Sequence, residues 1–418
     1  MRILLLSIYY PPEVGANSRI VDGLSRELSL AGDEVTVLTD FPHYPEGVIL
    51  PEYRGKFFLR EMRGGIKVIR NWLMITPRKN TLLRIANHLT FALTSIFGGL
   101  FSGKQDIIYA YSPPLFLGFT GYVISRIKQI PFVFNVQDIY PEIAVNYGII
   151  SNNKIIKILE SFERWIYRKA SKVAVISPGF KQNLINKNIN PNKIAIIPNW
   201  VEGELFKPRP KDNPFSRNYG LNNFFVAMYA GNIGHSQGLG TLVEAARLLA
   251  DQPKLLFVIV GEGVKKQELI QLKESYQLNN ILFLPFQPRS QMSDVLAAAD
   301  VSFVILEPKK SKTTIQSKTY EIMAMERPIV ASVDRDGDNW ALIEEAKAGI
   351  WAEPGNPRKL AEAVLKLETD ESLRIDLGKN GRRYILRNNT SSSVCQLYGD
   401  LFSKEIFAMQ ARQLKVKK

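Results

Sequence analysis

An α/β fold of two doubly wound, Rossmann-like domains facing each other across a cleft is predicted for this chain, and three observations carry the prediction. Short apolar runs alternate with helical stretches, the mark of parallel sheets covered on both faces. That alternation restarts after Pro198. With 418 residues, 45% of them hydrophobic and 22% charged, the chain is too long for one ordinary core and apolar enough for two.

In the first half, strands are expected at Ile3–Ile8, Glu34–Leu38, Ile66–Arg70, Ile107–Tyr111, Phe132–Val136 and Val173–Ile176. The segment Pro198–Asn223 places Pro208, Pro210 and Pro214 among charges and asparagines and reads as a linker. Strands follow at Phe225–Tyr229, Leu255–Val260, Ile281–Leu284, Val301–Ile305 and Ile329–Ser332. The units expected are 1–205, 206–385 and a closing segment, 386–418, that ends in a basic, frayed tip. The apolar run Met1–Tyr9 stops at Pro11-Pro12 without a small-residue cleavage site, so it reads as a first strand and not as a signal peptide. A single cysteine, Cys395, and three histidines rule out an intramolecular disulfide and offer no zinc-ligand spacing. A reducing, cytoplasmic setting and no structural metal are expected.

The net charge of +14 points to anionic partners, and its distribution favours lipid headgroups over nucleic acid. Arg60, Arg63, Lys67, Arg70, Arg78, Lys79 and Arg84 face one acid, Glu61, and an apolar helical stripe follows at Leu82–Phe101. Arg84, Asn87 and His88 make that stripe a poor transmembrane span. A basic amphipathic helix can lie in the headgroup layer, with Phe91 and its neighbours facing outward. The same stripe could equally pack on a domain core.

In open parallel sheets ligands gather at the carboxyl ends of the strands. After the first strand comes a turn, Tyr9–Asn17, with Gly15 in it. The second half opens with Ala230-Gly231-Asn232-Ile233-Gly234 and Gln237-Gly238, and Gly261-Glu262-Gly263 follows the next strand. Neither loop is G-x-G-x-x-G or a P-loop, which argues against a nicotinamide oxidoreductase and a kinase or GTPase. Further on, QSKTYEIMAMERPIV puts Ser317 at an N-cap position, Lys318 first in the helix and Glu321 one turn later. A lysine there opposes the helix dipole unless an anion lies nearby. A phosphate would remove that conflict, with Glu321 left to accept hydrogen bonds from sugar hydroxyls. A solvated surface helix accounts for the same pair, and ordinary turn chemistry for the same glycines.

The ordered set YYPPEVGANS, SPPLF, QDIYPE, VISPGF, IPNWV, YAGNIGHSQGL, VGEG, LAAADV and SKTYEIMA, running from residue 1 to about 390, resembles the family 4 glycosyltransferases, in particular the WbuB-like enzymes of surface polysaccharide and O-antigen synthesis. The resemblance implies the GT-B architecture, with an N-terminal acceptor-binding domain and a C-terminal nucleotide-sugar-binding domain. It also implies a final helix crossing back to the first domain, and retaining sugar transfer without an essential metal or cofactor.

Carried onto this chain, the family pattern makes Glu321 the ribose ligand and the second glutamate of E-x7-E. It sets Lys318 and the backbone near Ser317 on the diphosphate, with Gly231–Gly238 (Asn232, Gly234, Gln237) and Gly15 approaching the phosphates. Gly261, Gly263, Phe286 and Gln287 border the base. Asp138 and Glu142 take sugar or acceptor contacts, and Arg84 and Phe91 lie on the acceptor side. Lys318, Glu321 and Asp138 are the catalytic candidates. The first glutamate of the motif falls on Thr313, Asn232 and Gln237 replace charged phosphate-loop residues, and Glu326 stands where relatives often have glycine. The function implied is transfer of an amino sugar of the N-acetylfucosamine type from a UDP-sugar to a lipid-linked saccharide, by an enzyme peripheral to the inner membrane face. A GT-B nucleotide-sugar epimerase and a non-catalytic basic membrane-binding protein are the alternatives.

Overall fold

The computed structural model describes residues 1–13, 15–43, 47–75, 81–146, 148–309 and 315–416. Two compact units emerge, one of residues 1–198 with 394–418 and the other of residues 199–393. Residues 199–205 go with the second unit because Val201 N donates to Asn389 O at 3.0 Å and Asn389 Nδ2 donates to Asn199 O at 2.9 Å. The last helix, Ser391–Val416, belongs to the first unit from Val394 onward. There Asn135 Nδ2 donates to Tyr398 Oη at 2.9 Å, and the Tyr398 ring meets Tyr109 edge-on.

The first unit holds an eight-stranded sheet: β1 (Arg2–Leu6), β2 (Glu34–Asp40), β3 (Phe58–Arg63), β4 (Ile66–Asn71), β5 (Ile107–Ser112), β6 (Phe132–Val136), β7 (Lys172–Val175) and β8 (Ile194–Ile196). Their spatial order is β3-β4-β2-β1-β5-β6-β7-β8, parallel except for the β3–β4 hairpin. Strands β3 and β8 were not expected. The second sheet comprises β9 (Phe225–Ala230), β10 (Leu255–Val260), β11 (Ile281–Leu284), β12 (Val301–Ile305), β13 (Ile329–Ser332) and the unexpected β14 (Gly349–Trp351). It is wholly parallel, in the order β11-β10-β9-β12-β13-β14. Along β9, Val226, Met228 and Ala230 enter one core cluster while Ala227 and Tyr229 enter another. That alternation is what a sheet covered on both faces requires, since successive side chains point opposite ways.

Two expectations about the basic and apolar stretch need correction. Phe91 does not face outward: it is fully buried and packs with Leu38, Ile69 and Leu73 on the inner face of the helix Thr81–Leu100. The outward face instead carries Leu89, Leu93 and Phe97 at four-residue spacing, with Phe101 just beyond. Arg70 is not a surface charge either. It is fully buried, donating from Nε to Glu61, from Nη1 to Asp40 O and from Nη2 to Pro11 O.

Beside Arg70, Glu13, Asp40 and His43 bring their ligating atoms within 4.8 Å of one another. His43 Nδ1 lies 3.1 Å from Asp40, 3.4 Å from Glu13 and 3.1 Å from Phe41 O, so an N–H pointing at three oxygens fits this geometry. Burial works against the imidazolium, but the Asp40 hydrogen bond and the Asp40 and Glu13 charges outweigh it, raising the pKa from 6.5 to about 9. A raised folded-state pKa contributes stability that is complete below about 6.5 and is lost as pH rises through about 9. The melting temperature of His43→Gln should therefore fall below that of the wild type by a margin that is full at pH 6 and shrinks by pH 10. A constant margin in a thermal-shift series would show that the imidazolium contributes nothing.

Candidate active site

The strand order of the second sheet reverses between β9 and β12, the position at which an open sheet leaves a crevice at its carboxyl end. The loop after β9 and the segment leading to the helix Ser317–Ala324 after β12 both start there. Sequence spacing puts Ser317 at the N-cap, and the structure corrects this: Gln316 holds that position with no side-chain cap bond, and Ser317 is the exposed first helical residue. Gln316 is fixed by its own backbone N–H, which donates to Asn339 Oδ1 at 3.0 Å. The Gln316 side chain therefore caps none of the amides at the amino end of this helix.

Lys318 turns inward from that end. Its Nζ sits 3.7 Å from the centroid of the Tyr229 ring, on β9, and a Cβ placed on Gly231 would come within 2.6 Å of it. The ammonium is out of solvent and, among the described residues, makes no hydrogen bond. Burial lowers its pKa from 10.5 to about 7, the charge of Glu321 acting weakly in the other direction. The Tyr229 ring face offers a partial counter-charge, worth about 1–2 kcal/mol for a desolvated cation. A buried lysine at a helix amino terminus lacks one thing, an anion.

The glycines around it serve close backbone approach. Gly231 N donates to Val260 O and Ile233 N donates to Glu262 O, both at 2.9 Å, so the loops after β9 and β10 run side by side. A Cβ on Gly261 would strike the Gly231 carbonyl and one on Gly263 the Ile233 carbonyl, with φ +148 and +157. Gln237 Oε1 accepts from Gly234 N at 3.0 Å and braces the same loop, while Tyr229 Oη donates to Asn232 O at 2.7 Å and the Asn232 side chain is exposed. Phe286 is 69% exposed on the loop after β11, and Gln287 Nε2 bonds Pro285 O at its side. Glu321 lies one turn beyond Lys318 and accepts from Arg289 Nη1 at 2.9 Å.

The first-unit candidates fall into two places. Gly15 caps the helix Ala16–Leu30 in an extended conformation, φ −167, with open space where a Cβ would be, so nothing in its backbone demands glycine. Tyr111 Oη donates to Asn17 Oδ1 two residues on and feels the charge of Asp138, whose carboxyl is raised above its usual range by burial. Glu142 lies apart, its carboxylate bonded by Asn183 Nδ2 at 2.9 Å and by Lys187 Nζ at 3.3 Å. The Arg84 side chain and Thr313 lie outside the described residues. Glu326 adopts φ +56 just past the helix that bears Lys318, a left-handed conformation that glycine takes without strain, and its carboxylate pairs with Arg382 at 3.4 Å.

Residues 15–200 match the glycosyl transferase 4-like domain and residues 213–384 match glycosyl transferases group 1. The putative colanic acid biosynthesis glycosyl transferase WcaI of Escherichia coli K12 is 27% identical over 78% of this chain and 81% of its own length. The probable glycosyltransferase WbjE of Pseudomonas aeruginosa is 26% identical over 74% of this chain and 75% of its own length. Among solved structures, Anabaena HepE in complex with UDP superposes with a TM-score of 0.71 at 17% identity, covering 97% of this chain and all of that one.

Proposed function

We infer, from a chain that is a glycosyltransferase of the GT-B fold and the family 4 type, that it moves an amino sugar of the N-acetylfucosamine type from a UDP-sugar to a lipid-linked saccharide with retained configuration. The observation that carries the donor side is the buried, unbonded Lys318 ammonium beside Gly231, at a helix terminus that its N-cap side chain does not cap. A diphosphate supplies the missing anion. As the sugar–diphosphate bond breaks, charge grows on the leaving oxygen, and Lys318 with the backbone amide of Ser317 stabilises it. Lys318 supplies the cation that a metal would otherwise bring, so this chemistry asks for no divalent ion. Two kinds of support favour the wider assignment. The HepE structures are complexes with UDP and with UDP-glucose, and the relatives include enzymes named for colanic acid and capsular polysaccharide biosynthesis.

The acceptor side is proposed to meet an anionic membrane surface from the inner face. No helix among the described residues is long and apolar enough to cross a membrane. Leu93, Phe97, Phe101 and Met62 are each more than half exposed, and Arg60, which donates from Nη2 to Phe101 O, places its charge beside them. Such a face suits the boundary between headgroups and acyl chains. Phe97→Glu with Phe101→Glu should lower partitioning onto anionic vesicles about tenfold or more, as expected for removing two phenyl rings that insert among the acyl chains. Equal partitioning of variant and wild type in a flotation assay would remove this surface from consideration.

Incubation with a panel of UDP-sugars and lipid-linked acceptors tests the transfer itself. The expected result is product only when both are present, with the anomeric configuration kept. Conversion of the nucleotide-sugar without acceptor would indicate an epimerase, and an inverted product would refute retention.

A further inference from the structure

One residue beside the proposed donor site is not accounted for by any pattern in the sequence. Arg289 opens the turn Arg289–Gln291 after β11, three residues past Phe286. Its guanidinium donates from Nη1 to Glu321 Oε1 at 2.9 Å, lies 3.3 Å from Glu202 Oε1 through Nη2, and covers the Phe206 ring at 5.0 Å. Burial opposes its charge, and Glu321 and Glu202 more than restore it. Among the described residues no donor reaches Glu321 Oε2. The proposed site contains an electrostatic conflict: sugar hydroxyls want an ionised carboxylate as acceptor, whereas a diphosphate one helical turn away is repelled by it. A guanidinium held on the far oxygen of that carboxylate resolves both demands.

We propose that Arg289 is a positioning residue for the nucleotide-sugar, neutralising Glu321, fixing its carboxylate so that Oε2 is presented to the ribose, and tying the loop that carries Phe286 and Gln287 to the helix Ser317–Ala324. The proposal rests on Glu321 as the ribose ligand. It acts on binding, so its loss raises the donor KM more than it lowers kcat.

The test is a double-mutant cycle on the full chain, with UDP affinity by calorimetry and donor kinetics as readouts. Arg289→Gln should weaken UDP binding about tenfold, the scale for a lost hydrogen bond between charged groups, with kcat changed by much less. Adding Arg289→Gln to Glu321→Ala should cost little more than Glu321→Ala alone, because one acts through the other. Additive losses would overturn the proposal. Wild-type UDP affinity in Arg289→Gln, with affinity lost in Glu321→Ala, would overturn it while leaving the ribose assignment standing. Wild-type affinity in Glu321→Ala would overturn both. Should Arg289→Gln melt below the assay temperature, Arg289→Lys carries the same test: it keeps the charge and loses the fork that spans two carboxylates. A donor KM raised several-fold supports the proposal and an unchanged one overturns it.

Discussion

Lys318→Met is expected to lose turnover by about 10²- to 10³-fold, the usual cost of removing one donor from a site of developing negative charge. The same variant should be more stable than the wild type when no ligand is present. The folded-state pKa of Lys318 is depressed to about 7 by burial, well below its ordinary 10.5. Between those values the unfolded chain binds the extra proton, so this group makes stability rise with pH, and below about 7 the full cost of the buried ammonium is carried. Replacing a buried charge by an apolar side chain of similar shape commonly adds ~1–4 kcal/mol. A thermal melt at pH 6 should therefore show Lys318→Met melting several degrees higher, with the gap closing by pH 10. A variant that is inactive and also less stable at pH 6 would mark Lys318 as a structural residue.

Gly261→Ala is expected to be the most damaging single methyl in the second unit. At φ +148 an alanine is strained, and its Cβ would overlap the Gly231 carbonyl, which is pinned because Gly231 N is bonded to Val260 O. Backbone on backbone leaves no flexible side chain to yield. The cost should be about 3 kcal/mol or more, lowering the melting temperature on the order of 6–12 °C. Gly240→Ala, early in the helix Leu239–Leu248 with open space around its Cβ, should be neutral or slightly stabilising. Equal behaviour of the two variants in urea unfolding would refute the close-packing account of the paired loops.

Much of this is legible in the sequence because parallel strands buried on both faces are long apolar runs. Leu255–Val260, Ile281–Leu284, Val301–Ile305 and Ile329–Ser332 have the bounds that their composition predicts. The strands that escaped notice are those without such runs. Phe58–Arg63 is an edge strand with charge at three of its six positions, and β8 and β14 are three residues each. A signal for β3 was present: Gly64-Gly65, at φ +56 and +82, is a two-residue hairpin turn between it and β4. Phe91 was misplaced because helical spacing reveals that a face is apolar but not which of two apolar faces meets the core. Arg289 lies 32 positions from Glu321, and only the folding of β11 against its neighbours makes them partners.

Calorimetry of UDP binding at pH 8, repeated in two buffers of different ionisation enthalpy, tests the central claim most directly. With Lys318 titrating near 7 when unliganded, the wild type should take up nearly one proton per UDP bound, because the diphosphate restores the ammonium, and Lys318→Met should take up none. Binding without proton uptake, or the same uptake in both proteins, would contradict a diphosphate seated on Lys318.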